Sequence, residues 1–249
     1  MNKLVSIITP SFNSSRFIDS CIVSVLDQDY KDWEMLIVDD CSKDDSRDKI
    51  LSYAKKDSRI RYFFLEQNIG AAGARNVAIR ASKGRYIAFL DSDDMWYSNK
   101  LSEQIHIMSK NDLGFTFTSY DVVQEQNTDI VNTISVPSKI NYHGYLKNTI
   151  IGCLTVILDK KITGDFEMPE VRSSHDMALW LLIMRRGIIA YGINSPLSRY
   201  RLVDSSNTSD KLRAAKDVWL VYRKIERLNL IYSTICFICY TFNAIRKRI

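Results

Sequence analysis

Asp91-Ser92-Asp93-Asp94 sets three carboxylates within four residues, directly behind the apolar run Ile87-Ala88-Phe89-Leu90. Two carboxylates at i and i+2 in a loop can share a hard divalent cation, and that cation in turn neutralises a diphosphate. The plain alternative is an Asp-rich helix start favoured by the helix dipole. A second acidic pair, Asp39-Asp40, follows another strand-like run and favours the metal–diphosphate reading. Those two carboxylates could accept from a base imide N–H or a ribose hydroxyl, or cap the next helix. Gly70-Ala71-Ala72-Gly73-Ala74-Arg75-Asn76 is neither GxGxxG nor GxxxxGK[ST], so a dinucleotide or P-loop site is disfavoured. Its small residues suit close helix packing, with Arg75 directed at the acidic residues or at phosphates, or held in a purely structural carboxylate pair. Ser174-His175-Asp176 opens an amphipathic stretch and places Asp176 where a general base facing a cleft would sit, or where an acid simply meets a helix N-terminus. With only three histidines, at 106, 143 and 175, there is no zinc constellation.

These residues need elements to hold them. Leu4–Thr9, Trp33–Val38, Ile60–Leu65 and Tyr86–Leu90 read as strands, the first three followed by helical patterns at Phe17–Val25, Ile50–Ala54 and Gly70–Ser82. Such β-then-α units predict a parallel sheet with helices on both faces. Ligands of that architecture sit outside the carboxyl ends of the strands. There the sequence places Thr9-Pro10-Ser11, Asp39-Asp40, Asn68-Ile69-Gly70 and the Asp91 loop. One sheet edge is therefore acidic, and like charges on one rim call for a positive ligand. Beyond it we expect a strand at Gly114–Tyr120, a polar stretch at Gln124–Asn132, an apolar run at Cys153–Leu158, a helix over Ser174–Arg186 and a polar loop at Asp204–Asp210.

The 249 residues, 46% apolar and 25% charged, suit a folded α/β chain and exclude a disordered one. Net charge is +5, but residues 211–249 alone carry nine Lys/Arg against two acids, so the first 210 residues sum to −2. The tail, with helical stretches at about 211–228 and 229–245, interleaves its cations with aliphatic residues, which argues against a nucleic-acid partner. Basic flanks at both ends of 228–245 argue against a span and for a helix lying on an anionic membrane surface. The alternative is a helix packed on the body or on a second copy, and Cys236 and Cys239 would fill its apolar face. Five cysteines without a framework spacing imply reduced thiols, and the N-terminus lacks a signal-peptide pattern, so a cytosolic protein is expected. No oligomeric state is read from the sequence.

Taken together, Val5–Asn13, Ile37-Val38-Asp39-Asp40-Cys41-Ser42, Asn68-Ile69-Gly70 with Ala74-Arg75-Asn76, Phe89–Asp94, and His175-Asp176 with Leu179-Trp180 resemble the family 2 inverting glycosyltransferases of GT-A fold, of the bacterial O-antigen and capsule type. The resemblance covers about residues 4–200. It implies a GT-A domain at 1–210, with a donor half at about 1–100 and an acceptor half at about 101–210, followed by the tail at 211–249. It also implies a nucleotide-sugar donor, UDP foremost, bound along Thr9, Pro10, Asp39, Asp40, Asn68, Gly70, Arg75, Asp91 and Ser92. Asp40 would lie near the base and Asp91 near ribose or diphosphate. Mn2+ or Mg2+ would sit on Asp93, with Asp91 and Asp94 beside it, and Asp176 would deprotonate the acceptor hydroxyl. The acceptor would be a glycan, commonly linked to undecaprenyl diphosphate, which places the enzyme peripherally on the inner face of the plasma membrane. His175 departs from the common Glu-Asp pair of the family. A receiver-like signalling module or a catalytically silent sugar-nucleotide binder is the competing reading; receivers are about half this length and carry their acidic pair after the first strand, where Thr9-Pro10 stands here.

Overall fold

The computed structural model describes residues 3–126, 128–169, 171, 173–203 and 211–246. In chain order the elements are β1 (Val5–Ser11), α1 (Ile18–Leu26), β2 (Trp33–Asp39), α2 (Ser46–Ala54), β3 (Ile60–Phe64), α3 (Gly70–Ala81), β4 (Tyr86–Phe89), β5 (Met95–Trp96), α4 (Lys100–Asn111) and β6 (Phe115–Gln124). They continue with β7 (Ile130–Ile134), β8 (Lys139–Ile140), α5 (Tyr142–Lys147), β9 (Ile157–Asp159), α6 (Lys160–Thr163), α7 (His175–Arg185), β10 (Ala190–Leu202), α8 (Lys211–Leu220) and α9 (Leu230–Arg246). The expected loop at Asp204–Asp210, and Asn127, Lys247 and Arg248, lie outside the described residues.

The main sheet runs β3-β2-β1-β4-β9-β6-β10-β5. Its first four strands are parallel, as the alternating β and α segments require. Each of β1, β2 and β4 is buried on both faces and deals alternate residues to two cores. Val5 and Ile7, Met35 and Ile37, and Tyr86 and Ala88 join α1, α2 and α4 on one face. Ile8, Leu36, Val38, Ile87 and Phe89 join α3 and α7 on the other. Trp180 of α7 is fully buried at the centre of that second core, its ring 5.3 Å from those of both Phe89 and Phe115.

Beyond β4 the sheet becomes mixed. The apolar run at Cys153–Leu158 makes one 3-10 turn at Cys153–Thr155 and only then enters β9, which lies antiparallel between β4 and β6. The polar stretch after Gln124 leads into β7, which pairs back on β6. The thirteen-residue β10, which apolar patterning does not announce, runs parallel to β6 with two register shifts. A Cβ on Gly192 of β10 would stand 1.9 Å from the Pro137 carbonyl oxygen, so only glycine lets the two backbones approach there.

The change of composition at 210 does not separate two cores. Val218, Val221, Tyr222 and Cys236 are buried in the same core as Trp180. Tyr222 donates its hydroxyl proton to the Leu146 carbonyl, and Ser173 donates to Asp217 of α8. The tail is thus docked on the body along one face, contrary to a helix lying wholly on a membrane. Among the described residues no helix is long and apolar enough to cross a membrane. Cys21, Cys41, Cys153, Cys236 and Cys239 are all free thiols.

Trp180→Ala is expected to cost about 3–5 kcal/mol, the usual range for emptying so large a buried site. Urea unfolding followed by circular dichroism should show the lowered midpoint, with Trp180→Phe losing much less.

Candidate active site

The carboxyl ends of β1, β2, β3 and β4 bring the rim residues together. The β1 and β2 loops are laced by Asn13, whose N–H donates to Ser42 Oγ (2.9 Å) and whose Oδ1 accepts from the Lys43 N–H (2.8 Å). Asn13 can do this because it sits at φ +48°, in the left-handed region that Asn tolerates. Phe12, next to it, is half exposed and offers an aromatic face at the rim. Thr9 and Pro10 are buried at the end of β1, and Thr9 Oγ1 has no partner among the described residues.

The two acids after β2 divide their tasks. Asp39 is fully buried; its Oδ1 accepts from the Ser42 N–H (3.1 Å) and Arg47 Nε (2.7 Å), while Oδ2 accepts from no described residue. Asp40 gives one oxygen to the Ile69 N–H and the other to the Gly70 N–H, each at 2.8 Å, and its carbonyl accepts from Asn68 Nδ2 (3.0 Å). It therefore caps a helix some thirty residues away in sequence, α3, and not the next one. The open acceptor of the pair is on Asp39.

Helix α3 then carries the central contact. Arg75 is only 4% exposed; one guanidinium nitrogen donates to Asp91 Oδ1 and the other donates to His175 Nε2 (2.5 Å). Burial pulls the Arg75 pKa down, but the surrounding negative charges, Asp91 first, together with the Asp91 hydrogen bond outweigh it and leave the pKa above its ordinary value. Facing a permanent cation, His175 Nε2 must act as acceptor, so the imidazole carries its proton on Nδ1. Burial and then Arg75 lower the His175 pKa accordingly. Asn76, the next residue, exchanges two hydrogen bonds with the backbone of Met168 at 2.7 and 2.9 Å and fixes the segment leading to α7. Asp176 stands in the first turn of α7, partly exposed, and none of the side-chain hydrogen bonds among the described residues involves its carboxylate.

The Asp91 loop is a tight turn, closed by the Asp94 N–H on the Asp91 carbonyl (3.1 Å). Asp94 is 2% exposed, and its Oδ1 accepts from the Arg201 N–H (2.9 Å). Arg201, at the end of β10, also donates Nε to the Asp93 carbonyl (2.8 Å) and lies over the Phe17 ring. Asp93 is less enclosed than Asp94. Burial, and then the Asp91 charge, push its pKa up to about 6. Burial, then Asp93 and Asp91, push Asp94 well above the carboxylate range, and the same three aspartates add to burial in raising the Cys21 thiol. Crowded carboxylates of this kind suit a divalent cation: one or two carboxylates plus phosphate oxygens are what Mg2+ takes, and no closed protein cage of three His, Cys, Asp or Glu is found among the described residues. Asp91 is shared with Arg75, Asp94 is turned toward β10, and neither arginine bonds to the Asp93 carboxylate. Ser92 is buried within the turn.

Sequence reasoning named Asp39, Asp40, Arg75, Asp91, Asp93, Asp94 and Asp176, and the structure gathers them around the carboxyl edge of the sheet. It missed Arg201 and the partnership of His175 with Arg75. No local signal marks either, because their partners lie about a hundred residues away in sequence.

The sequence profile described as Glycosyl transferase family 2 matches residues 6–160. A glycosyltransferase of Bacillus subtilis (strain 168) named for teichuronic acid biosynthesis, TuaG, is 48% identical over 246 residues, spanning 99% of this chain and 98% of its own. WfgD of Escherichia coli, named a UDP-Glc:alpha-D-GlcNAc-diphosphoundecaprenol beta-1,3-glucosyltransferase, is 45% identical over 217 residues, spanning 87% of this chain and 84% of its own. Among solved structures, the mannosyltransferase PcManGT of Pyrobaculum calidifontis, in complex with GDP-Man and Mn2+, superposes with a TM-score of 0.71 at 15% identity, covering 96% of this chain and 68% of that one. The fold is GT-A.

The raised Asp93 pKa makes a prediction about stability. An acid whose pKa is higher folded than unfolded loses folded-state stability as pH rises through that interval. Asp93→Asn, which mimics the protonated form, is therefore expected to raise the thermal midpoint in chelator at pH 7.5 and to lose that advantage at pH 4. An unchanged midpoint at pH 7.5 would contradict the crowding.

Proposed function

The chain belongs to glycosyl transferase family 2, and from that premise we propose that it is an inverting enzyme moving a hexosyl or N-acetylhexosaminyl group from a UDP-sugar to a hydroxyl of a glycan carried on undecaprenyl diphosphate. The observation that carries this reading is the Arg75 contact, which ties the acidic loop to the helix bearing Asp176. Donor and acceptor chemistry need those two groups side by side.

Asp39 Oδ2, buried and without a partner among the described residues, accepts from the uracil imide N–H. Phe12 gives the base an aromatic face, and Asp40 shapes the same pocket by fixing Asn68–Gly70. Mn2+ or Mg2+, held by Asp93 with Asp91 beside it, would supply positive charge to the diphosphate leaving group. Arg75 holds Asp91 in place and adds its own charge beneath the diphosphate. Asp176 takes the proton of the acceptor hydroxyl as that oxygen attacks the anomeric carbon from the face opposite the diphosphate. The new C–O bond forms, the bond to the diphosphate oxygen breaks, and UDP leaves with the electron pair, so the anomeric configuration inverts. His175, neutral and accepting from Arg75, adds no negative charge where a Glu would.

The basic tail, residues 211–249, would hold the enzyme at the anionic inner face of the plasma membrane, raising the effective concentration of a lipid-linked acceptor. UDP-glucose is the first donor to assay, because it is the one in the name of the 45% identical WfgD. The receiver-like reading falls with the family match.

Calorimetric titration with UDP, GDP and dTDP, with and without Mn2+, is expected to show metal-dependent binding of UDP that Asp93→Ala abolishes. Absence of nucleotide binding would overturn the reading. Asp176→Asn should keep the UDP affinity and lower kcat by about 10²–10⁴-fold. Near-normal turnover would mean that another group deprotonates the acceptor.

A further inference from the structure

Helix α9 has two faces of different fate. On one, Ser233 and Cys236 are fully buried, Tyr232 OH meets His143 Nδ1 of α5 at 2.9 Å, and Asn243 Nδ2 donates to the Lys147 carbonyl (3.0 Å). On the other, Ile231, Ile235, Ile238 and Phe242 recur at intervals of four, three and four, which places them in one stripe. They are 76%, 48%, 62% and 67% exposed. From Leu230 to Ala244 the helix holds no charged residue. Just before it stand the exposed cations Arg223, Lys224 and Arg227, and Arg246, Lys247 and Arg248 follow its uncharged stretch in the sequence.

We infer that this stripe is the surface that seats on an anionic bilayer, with α9 lying in the headgroup plane and its other face bolted to α5. The inference rests on the lipid-linked acceptor proposed above and names the surface, the partner and the orientation. Charge complementarity selects the occupant. A second copy packed on the stripe, parallel or antiparallel, would bring one basic cluster against another, whereas an anionic lipid surface meets cations at both ends of the helix. Spanning is ruled out by size and attachment: seventeen residues reach about 25 Å at 1.5 Å each, against about 30 Å of hydrocarbon, and Ser233 and Cys236 are already buried against protein. Fixed in this way, α9 acts as a keel and not as a tether. Helix α5 lies between it and α7, so the lipid plane sets the height and tilt at which Asp176 meets an acceptor whose lipid stays in the membrane.

Substitution tests this better than deletion, since Ser233 and Cys236 belong to the core. The full chain, its Ile231→Gln/Ile238→Gln/Phe242→Gln variant and an Arg223→Gln/Lys224→Gln variant would be sedimented with phosphatidylcholine vesicles, and with vesicles that also contain phosphatidylglycerol. The native chain is expected to sediment with the anionic vesicles only. The charge variant should bind them about fivefold more weakly per cation removed, and the stripe variant should stay in the supernatant with an unchanged thermal midpoint and unchanged UDP binding in Mn2+. A native chain that ignores anionic vesicles overturns the inference, as does a stripe variant that binds like the native chain. So does a native dimer, seen by sedimentation velocity, that the stripe variant makes monomeric without loss of vesicle binding. UDP titration keeps the two proposals apart: failure of nucleotide binding in the native chain would sink the enzymatic reading whatever the vesicles show.

Discussion

One buried guanidinium organises the molecule. Arg75 has carboxylate on one side and imidazole on the other, and it comes from a helix whose own start is held by Asp40 and whose next residue grips the Met168 backbone. Removing one partner from such a buried pair costs about 3–5 kcal/mol, because the other charge is left uncompensated. The demand for this contact explains the small residues of α3. Ala72, Ala74 and Ala78 are buried against the sheet, and their short side chains bring Arg75 close enough to reach the carboxyl edge. At Gly73 an added Cβ would come within 2.9 Å of the Ile69 side chain, at the very turn that Asp40 caps.

The acidic edge is managed from two directions. Arg75 approaches from the core beneath the sheet edge, and Arg201 approaches from the end of β10, threading between the Asp93 carbonyl, Glu125 and Ser20. Neither cation bonds to the Asp93 carboxylate. The result is a loop whose backbone is fixed while the Asp93 carboxylate is bonded by neither cation.

Much of the first half was legible because both periodicities are strong there. Strands buried on both faces read as short apolar runs, and β1 through β4 fall within two residues of their expected bounds. The Asp91 loop and Asp176 were legible because acids at element boundaries stand out against apolar neighbours. What local pattern could not show were the pairings. Asp40 serves a helix beyond the one it precedes, Arg201 reaches back to residue 93, and His175 meets position 75. Strand β10 escaped because Gly192 and Pro196 sit inside it and its register shifts break the alternation. In the tail, one helix has an apolar face for the core and another for the outside, and composition alone merges them.

The docked tail also bears on how the polypeptide is made. Chains emerge from the ribosome N-terminus first, and domains fold as their residues become available. The core formed with α1, α2 and α4 draws on residues 5 to 157, so it can close while synthesis is still under way. The opposite core, which contains Trp180, waits for Val218, Tyr222 and finally Cys236. A nascent chain can thus close one face of the sheet well before the other is complete. A product terminated before α9 would therefore leave the core around Trp180 open.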